Sequence, residues 1–122
     1  MPGYEISVLV RATLFMRRVR PKLTPTERLS LLLIAEGKGR GVYAIAADAG
    51  INAGEASKAV MRLMQHGFVF MTPDTTDRRR KHLTLTPKGR GVAIRLVRAM
   101  RGELSSARRP GSPRARERRL PG

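Results

Sequence analysis

The sequence predicts a mainly α-helical fold that contains one small β-hairpin. Apolar residues recur at helical spacing in five segments of the 122-residue chain. Between the fourth and fifth segments, two short runs rich in branched and aromatic residues flank a charged turn, which is typical of a hairpin. Helix-start patterns and glycines separate the segments. A chain of this length with 41% hydrophobic residues can bury one core.

Residues 4–20 are predicted to form helix α1, which carries apolar residues on two sides. One domain covers only one face of such a helix, so the second face predicts contact with another subunit. The first stripe consists of Ile6, Leu9, Val10 and Leu14, and the second of Val8, Ala12, Phe15, Met16 and Val19.

Helix α2 is predicted to begin at Pro25, because Thr24 lies three residues before Glu27 and can form a capping box with it. Gly37 and Gly39 end this helix. The expected inner face consists of Leu29, Leu32 and Leu33.

Two short helices follow and predict a helix-turn-helix, since they are joined only through residues 50–52. Helix α3 covers residues 43–49 and lacks a side-chain acceptor at its start. Helix α4 covers residues 53–66 and begins after Asn52, with Glu55 three residues further on. Its inner stripe is Ala56, Ala59, Val60, Leu63 and Met64, and its outer face carries Ser57, Lys58, Met61, Arg62 and Gln65.

A hairpin and a last helix complete the predicted fold. Residues 68–71 and 81–85 form the strands, and the wing extends over residues 72–81. Thr86 and Pro87 start helix α5, residues 87–104. The order α1-α2-α3-α4-β-wing-β-α5 is that of a winged helix-turn-helix. The expected inner face of α5 consists of Ala93, Leu96, Val97, Met100 and Leu104.

The domain organisation is predicted to be one domain and a tail. Residues 1–104 form a winged-helix domain whose terminal helices, 4–20 and 87–104, dimerise. Residues 105–122 contain six arginines, three prolines and one large aliphatic residue, so they are expected to be a disordered basic tail. The tail could solubilise the protein or grip phosphates, and the sequence favours neither role.

The charge and the absence of cysteine narrow the function classes. With 25 Lys and Arg against 9 Asp and Glu, the net charge of +16 favours a polyanionic partner, nucleic acid before an anionic membrane surface. The absence of cysteine excludes disulfides and thiolate metal sites. His66 and His82 lie far apart in the predicted fold, and no catalytic constellation is present, so we expect neither a metal, a cofactor nor an enzyme. No signal peptide or membrane-spanning run is present, which predicts a soluble, cytoplasmic protein without a membrane partner.

From about Leu23 to Gly89 the sequence resembles the MarR family of winged-helix transcription regulators. The resemblance is carried by LTPTE, by IAADAGINAGEASKAVMRLMQHGFV and by DRRRKHLTLTPKG. It implies a homodimer that binds pseudo-palindromic operators, with recognition helices in successive major grooves and wing arginines at the minor groove. Many family members respond to small phenolic or lipophilic ligands, although no residue of this chain supports an effector. The chain departs from the family in its short first helix and in lacking a second long C-terminal helix.

The candidate DNA-binding residues lie on the recognition helix and in the wing. Arginine and lysine suit guanine, glutamine suits adenine, and a methionine can contact a thymine methyl group. The alternative is that this polar face is only solvated. Within a DNA contact, Lys58 or Arg62 could instead clamp a phosphate. On the recognition helix the candidates are Ser57, Lys58, Met61, Arg62 and Gln65, and in the wing they are Arg78, Arg79, Arg80 and Lys81.

Two further sets of residues complete the predicted site. The resemblance implies that Asp77 orients Arg79 by a forked hydrogen bond, and ordinary turn chemistry is the alternative reading. The predicted dimer interface consists of Ile6, Val10, Leu14, Phe15, Met100 and Leu104.

These observations together predict a sequence-specific double-stranded DNA-binding transcriptional regulator, expected to act as a repressor. It is expected to bind a pseudo-palindromic operator as a homodimer. The alternative is a non-specific basic nucleic-acid-binding component of a nucleoprotein, which needs neither a dimer nor a palindrome.

Overall fold

The structure is a computed structural model, and it describes residues 3–73 and 81–103. Helices α1 (Gly3–Arg18), α2 (Pro25–Ala35), α3 (Val42–Ala49) and α4 (Ala53–Gln65) are followed by strands β1 (Val69–Pro73) and β2 (Lys81–Leu85) and by helix α5 (Pro87–Met100). This order confirms the predicted fold class. The turn at 74–80, Leu104 and the tail at 105–122 lie outside the described residues.

Helices α1 and α5 end two or more residues earlier than the sequence predicted. Helix α1 ends at Arg18 rather than at residue 20, because Arg20 precedes Pro21 and the proline ring disfavours the helical conformation there. Helix α5 ends at Met100 rather than at residue 104, because Gly102 has a φ of +78°. The N–H of Glu103 donates to the carbonyl of Arg98 at 2.9 Å, which completes a glycine-terminated helix end.

The starts of α2 and α4 confirm the two predicted capping boxes. The hydroxyl of Thr24 accepts from the N–H of Glu27 at 3.2 Å, and the Glu27 carboxylate accepts from the N–H of Thr24 at 3.1 Å. Asn52 and Glu55 exchange the same pair of bonds at 2.8 and 3.3 Å. Helix α3 begins at Val42 after the N-cap residue Gly41, and it has no side-chain cap, as expected. Local hydrogen bonding thus fixes where α2 and α4 begin.

The contacts divide the chain into two compact units, one of residues Arg18–Ala93 and one of the described residues up to Arg17 together with those from Ile94 onward. In the first unit, α2 packs on α3, α4 and β2, while α4 packs on α3 and β1. The largest fully buried side chains of this unit are Phe68, Leu23, Leu31, Ile45, Leu63 and Val60. The assignment of residues 1–104 to one domain stays a prediction.

The predicted inner face of α2 was wrong. Leu29 and Leu32 are exposed, and the buried apolar residues are Leu31 and Ile34. Two polar residues, Glu27 and Ser30, share the buried face. Burial is tolerated because the Glu27 carboxylate serves the capping box and the Ser30 hydroxyl donates to the carbonyl of Thr26 at 2.8 Å.

The inner faces of α4 and α5 needed smaller corrections. In α4, Met64 is exposed, whereas the other four predicted residues are buried. In α5, the buried apolar side chains are those of Val92, Leu96 and Ala99, and Val97 is exposed. One buried row per helix is narrower than the faces that the sequence pattern indicated.

The hairpin is antiparallel, with Val69 opposite Leu85, Met71 opposite Leu83 and Pro73 opposite Lys81. Leu83 and Leu85 are both buried, as predicted. The N–H of Leu83 also donates to the carbonyl of Gly39 at 2.7 Å. A side chain at position 39 would overlap the Leu83 carbonyl, so only glycine allows this approach. The segment before α3 is thereby held against β2.

The start of α5 is held against the end of α4. Thr86 donates through its N–H to the carbonyl of Phe68 at 3.0 Å and through its hydroxyl to that of Gly67 at 2.6 Å. The same hydroxyl accepts from the N–H of Gly89 at 3.0 Å, which confirms the predicted cap. Lys88 donates to the carbonyl of His66 at 2.9 Å and lies over the Phe68 ring. The start of α5 is therefore tied to the residues that directly follow α4.

The second unit contains α1 and the end of α5, and Arg11 joins them. Its Nε lies 3.1 and 3.0 Å from the carbonyls of Ala99 and Met100, and its Nη2 donates to Met100 at 2.6 Å. The carbonyl of Ala99 also accepts the N–H of Gly102 at 3.0 Å, and a guanidinium at this end complements the helix dipole. Arg11 thus caps the C-terminus of α5.

Candidate nucleic-acid interface

The polar face of α4 is continuous and exposed. The face opposite it is buried through Ala56, Ala59, Val60 and Leu63, so the helix has one face in the core and one in solvent. Residues 56–66 contain no aspartate or glutamate. The structure therefore brings the five predicted recognition residues onto one exposed face: Ser57, Lys58, Met61, Arg62 and Gln65.

The position of α4 is set by the turn that precedes it. Gly50 has a φ of +70°, a left-handed conformation that suits glycine, and it ends α3. The N–H of Ile51 then donates to the carbonyl of Ala46 at 3.0 Å. Asn52 follows at once as the cap of α4. This tight connection packs α3 against α4 and gives the helix-turn-helix that the sequence predicted.

Arg62 lies next to the carboxylate of Glu27, a contact between two helices that the residue spacing did not predict. Its Nε lies 4.0 Å from Oε2 of Glu27, and the two side chains are 61% and 8% exposed. At this separation the contact is an ion pair rather than a hydrogen bond. The capping pattern predicted a partner for only one oxygen of the Glu27 carboxylate. The second oxygen was the only signal in the sequence for a further partner such as Arg62.

The hairpin carries the described part of the predicted wing. Lys81 is exposed at the start of β2, where the strands lead into the predicted turn. Asp77, Arg78, Arg79 and Arg80 lie outside the described residues, so their roles stay predictions.

A groove of about 600 Å³ lies between the hairpin and the start of α3. Arg40 and Lys81 contribute cationic side chains to it, and Tyr43, Met71 and Leu83 contribute aromatic and apolar surface. Through Arg40, the positive charge of the hairpin continues to the uncapped start of α3.

The predicted dimer residues of α1 are mostly exposed. Ile6, Val10 and Leu14 are exposed apolar residues. Together with Leu9 they line a shallow groove of about 280 Å³ along the helix. Phe15 and Met100 are half-buried, and Leu104 lies outside the described residues. The first predicted stripe therefore stays exposed, whereas Met16 and Val19 of the second are buried.

The described part of the chain contains neither a cluster of candidate metal ligands nor a candidate membrane-spanning helix. Among residues 3–73 and 81–103, no group of three or more His, Asp or Glu residues could hold a metal ion. Within the same residues, no helix has the length and apolar character needed to cross a membrane.

Comparison with known proteins gives a match through structure alone. No family model and no curated protein matches the sequence. A point mutant of Lactococcus lactis ZitR is 27% identical, with a TM-score of 0.61 over 73% of this chain and 60% of that one. Transcriptional regulator Tm0710 from Thermotoga maritima is 22% identical, with a TM-score of 0.66 over 80% and 70%. CouR from Rhodococcus jostii RHA1, bound to p-coumaroyl-CoA, is 22% identical, with a TM-score of 0.62 over 80% and 67%.

The element order, the tight turn before α4 and the exposed α4 face define a winged helix-turn-helix protein. Its structural neighbours are MarR-type transcriptional regulators, which are not enzymes, and the chain has their fold, as the sequence resemblance predicted. The chain spans 60% of the length of the ZitR structure and 67% of the length of the CouR structure.

Proposed function

We propose that this chain is a sequence-specific double-stranded DNA-binding transcriptional regulator that acts as a repressor on a pseudo-palindromic operator. The observation that carries the proposal is the exposed face of α4, which is presented by a helix-turn-helix and has no carboxylate after the capping residue Glu55. The net charge of +16 and the regulator neighbours support the same function.

The recognition helix offers side chains for each kind of base contact in the major groove. Lys58 and Arg62 suit guanine, Gln65 suits adenine, and Met61 can contact a thymine methyl group. Residues 58, 61, 62 and 65 follow the i, i+3, i+4, i+7 spacing over two helical turns, so they can reach successive base pairs from one face. This arrangement supports direct reading of a short half-site.

Lys81 and Arg40 provide a second contact with the duplex. Both side chains are exposed, and they flank the groove between the hairpin and α3. Cations at such a place bind phosphates and carry no sequence information themselves. We expect them, with the predicted wing arginines, to set the register of α4 in the groove.

A homodimer would present two recognition helices to one operator. The support is the exposed apolar stripe of α1, which in a monomer would leave four large apolar residues, Ile6, Leu9, Val10 and Leu14, in water. Two half-sites of a palindrome then lie about 34–36 Å apart, one turn of the duplex.

The test begins with selection of an operator from random duplexes by the full chain. Arg62→Ala or Lys58→Ala should then weaken binding to the selected duplex by about 1–3 kcal/mol, with little change on a scrambled duplex. The reason is that a base contact is lost only where the correct base is present. Affinities are measured by titration at fixed salt.

The matched control is Lys22→Ala, which removes the same charge from an exposed lysine outside α4. It should change both affinities equally and only slightly. Equal losses on both duplexes for the two α4 variants would make those side chains phosphate clamps. If the selection also enriches no motif, the non-specific nucleoprotein component, favoured by the same charge, replaces our proposal.

A further inference from the structure

The carboxylate of Glu27 serves two helices at once. Glu27 is the third residue of α2, and its Oε1 accepts the N–H of Thr24 at 3.1 Å. Its Oε2 lies 4.0 Å from Nε of Arg62 on α4. The side chain is only 8% exposed, so the position of the carboxylate is fixed by packing and by the cap.

We propose that Glu27 is a positioning residue that orients Arg62 for reading the operator, an inference that rests on the proposed function. An arginine side chain has several rotatable bonds, and it loses their freedom when it binds a base. A fixed carboxylate near Nε restricts that freedom before DNA arrives. Because the contact is made through Nε, the terminal amino groups stay available for a forked contact with guanine.

Helix capping alone does not require a glutamate at position 27. A glutamine serves a capping box as well, since its amide oxygen accepts the same N–H. The second box of the chain gives the comparison, because Glu55 caps α4 in the same way but forms no ion pair with any described residue. The feature that distinguishes Glu27 is therefore its negative charge next to Arg62.

Stability is a poor explanation for this pair. Arg62 is 61% exposed, and ion pairs with an exposed partner contribute little to folding because water and salt screen them. The ion pair acts on the orientation of the Arg62 side chain, so its effect should be seen in discrimination between DNA sequences.

The experiment compares Glu27→Gln with the matched control Glu55→Gln, each in the wild-type and in the Arg62→Ala background. Full-length proteins are titrated against the selected operator and a scrambled duplex. Glu27→Gln should lower the ratio of the two affinities about 1.5–5-fold, the range expected for an ion pair with an exposed partner, while the melting temperature stays unchanged. In the Arg62→Ala background the same substitution should have no effect on the ratio, because the group that it positions is gone. Glu55→Gln should leave the ratio unchanged in both backgrounds.

A second measurement is independent of DNA. The ¹⁵N relaxation of the Nε–Hε group of Arg62 should report greater mobility in Glu27→Gln than in the wild type or in Glu55→Gln. Unchanged mobility would overturn the positioning role even if no operator is found.

The remaining outcomes separate the two proposals. If Arg62→Ala loses discrimination but Glu27→Gln keeps it, the inference about Glu27 fails and the proposed function stands. Tighter binding of both duplexes by Glu27→Gln would also overturn it, since the carboxylate would then merely repel phosphates. A loss that persists without Arg62 would assign Glu27 a purely structural role. If Arg62→Ala keeps discrimination, both the reading role of Arg62 and the inference fail.

Discussion

A single close backbone contact decides which residue can occupy position 89. At the start of α5, the carbonyl of Phe68 accepts the N–H of Thr86 and lies against Gly89. A Cβ at position 89 would overlap the carbonyl of Phe68, which is backbone and cannot turn aside. Gly89 is therefore required by space, although its backbone conformation is helical.

Gly89→Ala should destabilise the protein by about 1–3 kcal/mol, because the hairpin or α5 must shift to relieve the overlap. Thermal unfolding should show a fall in melting temperature of roughly 4–8 °C for each kcal/mol. Gly50→Ala provides the contrast, since position 50 is open but has a φ of +70°. That variant should cost only the roughly 1–2 kcal/mol of a left-handed residue. Equal stability of Gly89→Ala and the wild type would contradict the contact.

Local residue patterns could be predicted from the sequence, and contacts between distant residues could not. The boxes of Thr24 with Glu27 and of Asn52 with Glu55 each join residues three apart, so spacing alone specifies them. The contact of Glu27 with Arg62 joins residues on two helices and depends on how α2 packs against α4. The sequence therefore predicted how α2 begins, but it did not predict that the Glu27 carboxylate also lies next to Arg62.

At the scale of elements, errors occurred where apolar residues surround a helix. The α2 segment LSLLLIA places leucines on several sides, so its periodicity does not single out one face. The buried row includes Glu27 and Ser30, which hydrophobicity alone would place outside. In α4 the alanines lie on the side of the helix opposite the charged and polar residues. There the inner face was predicted with one exception, Met64.

Helix α1 was predicted to carry two apolar stripes. The first is exposed in the structure, and Met16 and Val19 of the second are buried. Leu14 on the first face is 43% exposed, close to the 41% of Leu29 on α2. The two leucines differ in their surroundings, because Leu14 lies in a continuous apolar stripe along α1. This difference allows exposure and interface formation to be tested separately.

Leu14→Glu should convert the proposed dimer into a folded monomer, because a carboxylate would be buried without a partner in the interface. Sedimentation should show the loss of the dimer, and operator affinity should fall with it. Leu29→Glu introduces the same charge at an equally exposed leucine and should leave the dimer intact. A wild-type protein that is monomeric at high concentration would contradict the dimer.

At the scale of the whole molecule, the charge is far in excess of what the fold requires. The exposed face of α4 and the groove at Arg40 and Lys81 both carry positive charge in the described residues. Like charges repel one another, so a net charge of +16 disfavours compact packing unless a polyanion neutralises it. The fold follows from caps, turns and the buried rows, whereas the excess charge indicates the partner.

Binding to the operator should therefore depend steeply on salt. If two subunits neutralise roughly 6–10 phosphates, affinity should fall about 10³–10⁵-fold between 50 and 200 mM salt, because the released counterions must be bound again. Titrations at several salt concentrations give the slope, which is about 0.9 for each phosphate contact on a duplex. A chain ending at residue 104 distinguishes the two roles left open for the tail: a shallower slope means that its arginines hold phosphates, and an equal slope means that they do not. A nearly flat dependence for the full chain would show that the positive charge lies away from the DNA.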